Sequence, residues 1–233
     1  MKNVIVTGAS QGLGLELVKT CLNKGYGVIA LSLDISAELS ALACDNLHIY
    51  ACDISDYERL QEVKADVMLY ADSLEYIFNN AGVWLDRERI MLEDERFDFS
   101  LVTKQYEVNA VGMLKVVKSF ISLLKKGAGK SIVNVSSEAG SIGNAPRVCE
   151  YGYCMSKAAL NMGTKLLQNA YPEIKLYAIH PGWMKTPQGF AGASELYSPQ
   201  QEPSDTANRL LEMAETKKYA FLYGDFEGNE LPW

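Results

Sequence analysis

The chain has 233 residues, 48% of them hydrophobic, enough for one α/β domain with a sizeable core. Its 22 Lys and Arg against 29 Asp and Glu leave a net charge of −7, which argues against nucleic acid or an anionic membrane as a partner. No apolar run is long enough to cross a bilayer, and the opening "MKNVIVTGAS" enters a strand pattern at once, so neither a spanning helix nor a signal peptide is expected.

In chain order, "NVIVTG" is a buried-strand run ending in glycine, and residues 12–24 place Leu13, Leu17, Val18 and Cys21 at helical spacing. "YGVIALS" is a second strand, followed by a short polar, weakly helical stretch and a third strand, "LHIYACD". Residues 55–65 look helical, "LEYIFNNAG" runs from a fourth strand into a turn, and the charged stretch 83–99 reads as a surface loop. One long helix is predicted over 102–125, with Tyr106, Val111, Leu114, Val117, Ile121 and Leu124 marking its apolar face. "KSIVNVSS" is the fifth strand, 151–170 a helix, and "IKLYAIHPG" the sixth strand. A Gly/Pro-interrupted loop, a helix over 202–215 and a last strand "YAFLYG" complete the chain. Strands alternating with helices predict βαβ units: an α/β fold, doubly wound, with a parallel sheet and helices on both faces. No linker or repeat divides it, so residues 1–233 read as one domain. In such sheets ligands bind beyond the carboxyl ends of the strands, here "TGASQGLG", "SLD", "DIS", "NNAG", "NVSS" and "HPGW".

The first of these, residues 7–14, follows a strand and opens a helix. Gly8 permits a tight turn, while Gly12 and Gly14 let backbone approach a ligand and helix pack on strand. The helix N-terminus then offers free N–H groups to a phosphate, which points to a dinucleotide. "GAGKS" at 127–131 is no Walker loop, because it precedes a strand and Leu124 stands where the first glycine belongs. Tyr153 and Lys157 lie four residues apart on a predicted helix and therefore share a face. That spacing alone suits an active pair and an ordinary surface pair equally. Cys21, Cys44, Cys52, Cys149 and Cys154 contain no C-x-x-C pair and have only His48 and His180 for company, so no metal site is expected. Reduced thiols in the cytoplasm are the simplest reading.

Taken together, these motifs resemble the short-chain dehydrogenase/reductases over nearly the whole chain. T-G-x-x-x-G-x-G appears as Thr7, Gly8, Gly12 and Gly14, and the adenine-side acid as Asp53 followed by Ile54. N-N-A-G spans Asn79 to Gly82, and the helix asparagine is Asn109. The serine strand is "IVNVSS", Y-x-x-x-K is Tyr153 and Lys157, and P-G-x-x-x-T is Pro181, Gly182 and Thr186. "DFEGNELPW" and "YGYCMSKAALNM" look like the branch of C-factor and sniffer-type carbonyl reductases. The resemblance implies a Rossmann fold and hydride transfer between a nicotinamide cofactor and a carbonyl or alcohol. It gives Tyr153 the proton, Lys157 a role in lowering the tyrosine pKa and holding the ribose, Ser137 the polarising hydrogen bond, and Asn109 a water on a proton path to Lys157. Ser136 points to the other strand face. Ser137 lies 16 residues before Tyr153, more than is usual in the family, and Ser141 only 12; a longer loop over 138–150 accounts for this and keeps Ser137.

The implied cofactor contacts are Gly8, Ser10, Gln11, Gly12, Leu13 and Gly14, then Ser32, Leu33 and Asp34. Asp53, Ile54, Asn80, Ala81, Gly82, Tyr153, Lys157, Pro181, Gly182, Trp183 and Thr186 complete the set. With no basic residue at Gln11 or at the end of the second strand, and with Asp34 there, the residues lean to NAD over NADP. Asp34, one or two places later than the usual acid, reads equally as a solvated loop residue. Trp84, Ile142, Val148, Cys149, Trp183, Met184 and Phe190 are candidates for an apolar substrate wall. No arginine stands out as a carboxylate clamp, although Arg87, Arg89 and Arg147 lie in suitable loops. Cys149, Cys154 and His180 read as structural. Oligomers, dimer or tetramer, would pair the helices at 102–125 and 151–170. The rival from another class is a dinucleotide-binding sensor of C-factor type with little turnover; a dehydratase or epimerase is the enzymatic one.

Overall fold

The computed structural model describes residues 1–193, 198–216 and 218–233. Seven parallel strands form one sheet: β1 (Asn3–Thr7), β2 (Gly27–Ser32), β3 (Leu47–Ala51), β4 (Tyr76–Asn79), β5 (Ser131–Val135), β6 (Lys175–His180) and β7 (Phe221–Asp225). Their spatial order is β3-β2-β1-β4-β5-β6-β7. The order reverses beside β1, which pairs with β2 on one side and β4 on the other. That switch point opens a crevice at the strands' carboxyl ends, where the sequence places its glycines.

The strands are covered on both faces, so they are apolar throughout rather than alternating. Val4, Val6, Phe78 and Tyr177 face α1 (Gly12–Asn23) and α8 (Pro203–Thr216). Ile5, Ile29, Ile77 and Ile132 face the opposite layer, built from α3 (Tyr57–Val67), α5 (Met113–Leu124) and α6 (Tyr151–Ala170). Short polar side chains start the connecting helices. Ser36 accepts from Leu39 N at 3.1 Å to cap α2 (Ala37–Ser40), and Asp56 accepts from Arg59 N at 2.9 Å to cap α3.

The helix expected over 102–125 differs in kind. It begins as α4 (Phe99–Tyr106), widens into a π-helical turn over Glu107–Gly112, and resumes as α5. A wide turn holds more residues than a regular one, so the helical phase shifts through it. Tyr106 and Leu114 consequently stand outward at 50% and 41% exposure, against the expected apolar face. The buried face is Val108, Met113, Val116, Val117, Phe120, Leu123 and Leu124. The loop after β6 also contains a helix not expected from its sequence, α7 (Pro187–Ala191). Part of the loop read there, residues 194–197, lies outside the described residues.

Candidate active site

A cavity of about 1290 Å³ occupies the carboxyl ends of the strands. Gly8 holds a φ of +64°, a left-handed conformation that glycine adopts without strain. A Cβ on Gly14 would lie 2.0 Å from the Gly8 carbonyl oxygen, so Gly14 serves packing and does not line the cavity. Asn80 fixes the turn: its Nδ2 donates to the Thr7 and Gly8 carbonyls at 3.0 and 3.1 Å. Thr7 Oγ1 returns the favour, accepting from Asn80 N and Ala81 N, both at 3.0 Å. At the start of α1 the N-cap residue Gln11 makes no side-chain cap bond, which leaves the first-turn N–H groups to a ligand. The cradle therefore fits a pyrophosphate.

Further along, Ser10 Oγ donates to the Asp34 carbonyl and Ser36 Oγ to the Ser10 carbonyl at 2.7 Å, tying the glycine turn to the end of β2. Ser32 is buried, while Leu33 and Asp34 are exposed at the cavity edge. Asp53 accepts from Ser55 N and Oγ at 2.8 and 2.7 Å. Burial would raise the Asp53 carboxyl, but those bonds, with Lys104 and Lys115, hold it below its ordinary value. Gln11, Leu13, Ile54, Ala81, Gly82, Pro181, Gly182, Trp183 and Thr186 line the same cavity.

Beyond the switch point, Ser137, Tyr153 and Lys157 meet, all buried. Lys157 Nζ sits 5.7 Å from the centre of the Tyr153 ring and donates to the Val135 carbonyl at 2.8 Å. Burial pulls its ammonium down to about 8, against the opposing pull of Glu138. Burial pushes the Tyr153 hydroxyl up to about 12, with the neighbouring Ser137 hydroxyl acting the other way. The local capping explains the placement: Asp86 Oδ2 accepts from Gly152 N and Tyr153 N at 2.7 and 3.3 Å, fastening the first turn of α6.

The serine and tyrosine alternatives separate cleanly. Ser136 lines the cavity, but its hydroxyl donates to Asn161 at 2.5 Å, and Ser141 donates to the Pro232 carbonyl at 2.5 Å. Tyr151 packs edge-on against Phe97 at 5.7 Å. Asn109 sits in the π-helical turn, 1% exposed and off the cavity. Its Nδ2 donates to the Val83 carbonyl at 2.8 Å and to Ser156 Oγ at 2.9 Å, and its Oδ1 accepts from Val83 N at 2.7 Å.

The walls differ in part from the expected set. Trp84, Val148, Cys149, Trp183 and Met184 line the cavity, and the Trp84 ring lies 5.4 Å from that of Tyr153. Ile142 and Phe190 are exposed, 83% and 55%, and point elsewhere. Arg87 is off the cavity too, donating to the Trp84 carbonyl at 3.0 Å. Arg147 is no free clamp: Glu138 and Glu150 both pair with it. Burial pushes the Cys154 thiol up to about 11 and raises that of Cys149, so neither is a ready thiolate. Two participants escaped the sequence reading, Glu138 beside Ser137 and Asp86 at the α6 start. No local pattern marks either one; Glu138's place directly after the serine was the sole hint.

Residues 2–191 match the family model described as short chain dehydrogenase. This chain is a short-chain dehydrogenase. The dehydrogenase is 27% identical over 238 residues to a 1-hydroxy-2-glutathionyl-2-methyl-3-butene dehydrogenase of Rhodococcus sp. strain AD45, covering 100% of both chains. Its structure superposes on the carbonyl reductase Sniffer of D. melanogaster with a TM-score of 0.85, at 26% identity and 100% coverage of each chain. An NADPH-bound carbonyl reductase from chicken fatty liver gives 0.84 at 27% identity, covering 100% of this chain and 99% of that one. The dehydrogenase is thus an NAD(P)-dependent oxidoreductase with carbonyl reductase relatives, and a binding protein without turnover is not favoured. No helix among the described residues is long and apolar enough to cross a membrane.

Proposed function

We propose that the dehydrogenase reduces a carbonyl group on a substrate with an apolar portion, using Asn109, Ser137, Tyr153 and Lys157. The observation that carries this reading is the burial of Tyr153 together with Lys157 and Ser137 at the cavity, where burial pushes the tyrosine hydroxyl up to about 12. A phenol with that value is protonated at neutral pH and is poised to give a proton to a substrate oxygen, not to take one. The bound nicotinamide cofactor supplies hydride. Lys157, charged below about 8, stabilises the tyrosinate left behind and holds the ribose. Ser137 sits on the same oxygen. Asn109 fixes Val83, and hence the turn after Gly82, against α6. Trp84, Val148, Trp183 and Met184 receive the apolar portion.

For the cofactor we favour NAD, although the chicken relative binds NADPH. The adenosine end of the cavity is lined by Ser10, Gln11, Ser32, Leu33, Asp34 and Asp53; Lys104 lies near Asp53, but the glycine turn and the end of β2 carry a carboxylate and no cation, which disfavours an added 2′-phosphate. Self-association through α4, α5 and α6 fits the outward Tyr106, Leu114, Met155, Met162 and Leu166. The five free thiols suit the cytoplasm. The test is loss of reduced-nicotinamide absorbance with NADH and NADPH against a panel of apolar aldehydes and ketones. Wild type turns over and Tyr153→Phe does not, while both bind cofactor; turnover by Tyr153→Phe refutes the assignment.

A further inference from the structure

Beyond β7 the chain turns back on itself. Asp225 Oδ1 accepts from Glu227 N and Asn229 N at 3.0 and 2.9 Å, and its Oδ2 accepts from Asn229 Nδ2 at 2.9 Å, an aspartate turn that reverses the backbone. The next residues run antiparallel beside β7: Asp225 N donates to the Asn229 carbonyl at 2.9 Å and Leu231 N to the Tyr223 carbonyl at 3.0 Å. Trp233 thereby lands on two rings of β7. It lies parallel to Phe221, with centroids 5.6 Å apart and planes at 3°, and 5.1 Å from Tyr223. Tyr223 is buried, and its hydroxyl donates to the Ser137 carbonyl at 3.1 Å.

The returning tail meets the loop that follows β5. Gly143 N donates to the Trp233 carbonyl at 2.5 Å. The Ser141 hydroxyl donates to the Pro232 carbonyl at 2.5 Å and accepts from Asn144 N at 3.1 Å. A Cβ on Gly143 would lie 2.8 Å from the Trp233 oxygen, so the two segments are in direct contact. Residues 144–150 of the same loop then line the cavity, Val148 and Cys149 among them. Residues 142–146 are exposed, so the core does not hold this stretch. It is fixed at one end by the tail and at the other by Arg147, which pairs with Glu138 and Glu150. Of the described residues 221–233, none lines the cavity.

We infer that Pro232 and Trp233 are positioning residues for the substrate wall: they hold the loop at 141–144, keep Val148 and Cys149 at the cavity, and so govern which substrates bind well. This rests on the proposed reduction of a carbonyl whose apolar portion meets that wall. A loop already fixed in its bound shape need not be ordered when substrate arrives, and the entropy saved appears as affinity. A loosened loop therefore weakens binding of a substrate that leans on Val148 and spares one too small to reach it. Ser137 keeps its own tie through Tyr223, and Asp86 still holds the first turn of α6 beside Tyr153, so the chemical step is unaffected.

The test compares wild type with Trp233→Ala, Trp233→Phe and Ser141→Ala. Steady-state kcat and KM are measured for a bulky aryl ketone and for propanal. Trypsin cleavage after Arg147, located by mass spectrometry, reads opening of the loop without substrate, and thermal melting reads the fold. In Trp233→Ala the aryl ketone KM should rise about tenfold with kcat changed less than about twofold, while the propanal KM stays near the wild-type value. Cleavage after Arg147 should be about tenfold faster. Ser141→Ala should shift all of these in the same direction. Trp233→Phe, which keeps a ring on Phe221, should restore most of the aryl ketone KM. An unchanged aryl ketone KM, a rise shared equally by propanal, or unchanged cleavage after Arg147 each overturns the inference. If Trp233→Ala does not fold, Ser141→Ala decides alone, since it lies outside the aromatic stack. Turnover by Tyr153→Phe, or reduction of no carbonyl by wild type, would instead overturn the proposed reaction, and the cleavage comparison would still decide whether the tail holds the loop.

Discussion

Replacing Gly14 with Ala isolates what the glycine turn contributes to cofactor binding. The new Cβ would sit 2.0 Å from the Gly8 carbonyl oxygen and 2.6 Å from Asn80 Nδ2. Real contacts of this kind do not fall below 3.0 Å, so about 1 Å of movement is required. Gly8 cannot yield, because its left-handed backbone is pinned by two Asn80 hydrogen bonds. The start of α1 must therefore move. Overpacking of this sort costs about 1–3 kcal/mol, and the better helix propensity of Ala offsets about 1 kcal/mol of it. The net stability loss is at most about 2 kcal/mol, but if the first-turn N–H groups hold the pyrophosphate, a 1 Å displacement of them should weaken binding by about 100-fold. Calorimetric titration with NADH and NADPH, alongside thermal melting, reads both quantities. Gly25→Ala is the control: Gly25 has a φ of +79° with nothing within 4 Å, so alanine there costs about 1 kcal/mol of backbone strain and leaves binding untouched. Wild-type cofactor affinity in Gly14→Ala would refute the argument that this contact positions the helix.

Other outcomes follow from the same geometry. Asp34→Arg should shift preference toward NADPH, read as the ratio of kcat/KM for the two cofactors, since it puts a cation where the cavity has carboxylates. Asp86→Ala should cost about 1–2 kcal/mol in denaturant unfolding and lower kcat, because two N–H groups of the first α6 turn lose their acceptor beside Tyr153. Lys157 gives a pH signature: its folded value near 8 lies below the ordinary 10.5, so between these values the unfolded chain binds more protons. Stability from this group should therefore rise with pH, by about 2 kcal/mol from pH 7 to pH 10 relative to Lys157→Met. Tyr153, raised to about 12, acts oppositely and only above pH 10. Equal pH slopes in melts of wild type and Lys157→Met would contradict this.

The fold could be read from the sequence because a parallel sheet buried on both faces writes its strands as unbroken apolar runs, and a dinucleotide turn needs glycine at fixed places. Gly8 and Gly14 are set by backbone geometry within one turn, so local spacing reveals them. Tyr153 and Lys157 lie one helical turn apart for the same reason, although choosing that pair over Tyr151 required the family pattern. What escaped depends on distant segments. Arg147 looked free because Glu138 and Glu150 become its partners only when the loop folds back onto β5. Asp86 caps α6 from 66 residues away. Tyr106 and Leu114 were misplaced because periodicity assumes an unbroken helix, and the widened turn breaks the count.

That turn has a consequence for how the site could be lost or altered. A π-helical turn amounts to one surplus residue in a helix, and Asn109, which bonds Val83 and Ser156, lies within it. Deleting one residue between Ala110 and Gly112 would let the backbone relax to regular helix and leave the following side chains of α5 in phase, because the wide turn already absorbs the surplus residue. Met113, Val116 and Phe120 would keep their places in the core, while the backbone around Asn109 would be rebuilt. Unlike a point substitution, which erodes one contact, such a deletion would alter the setting of Asn109 in a single genetic event and spare the α5 layer. The length of this helix at the wide turn therefore bears on the site more than on the fold.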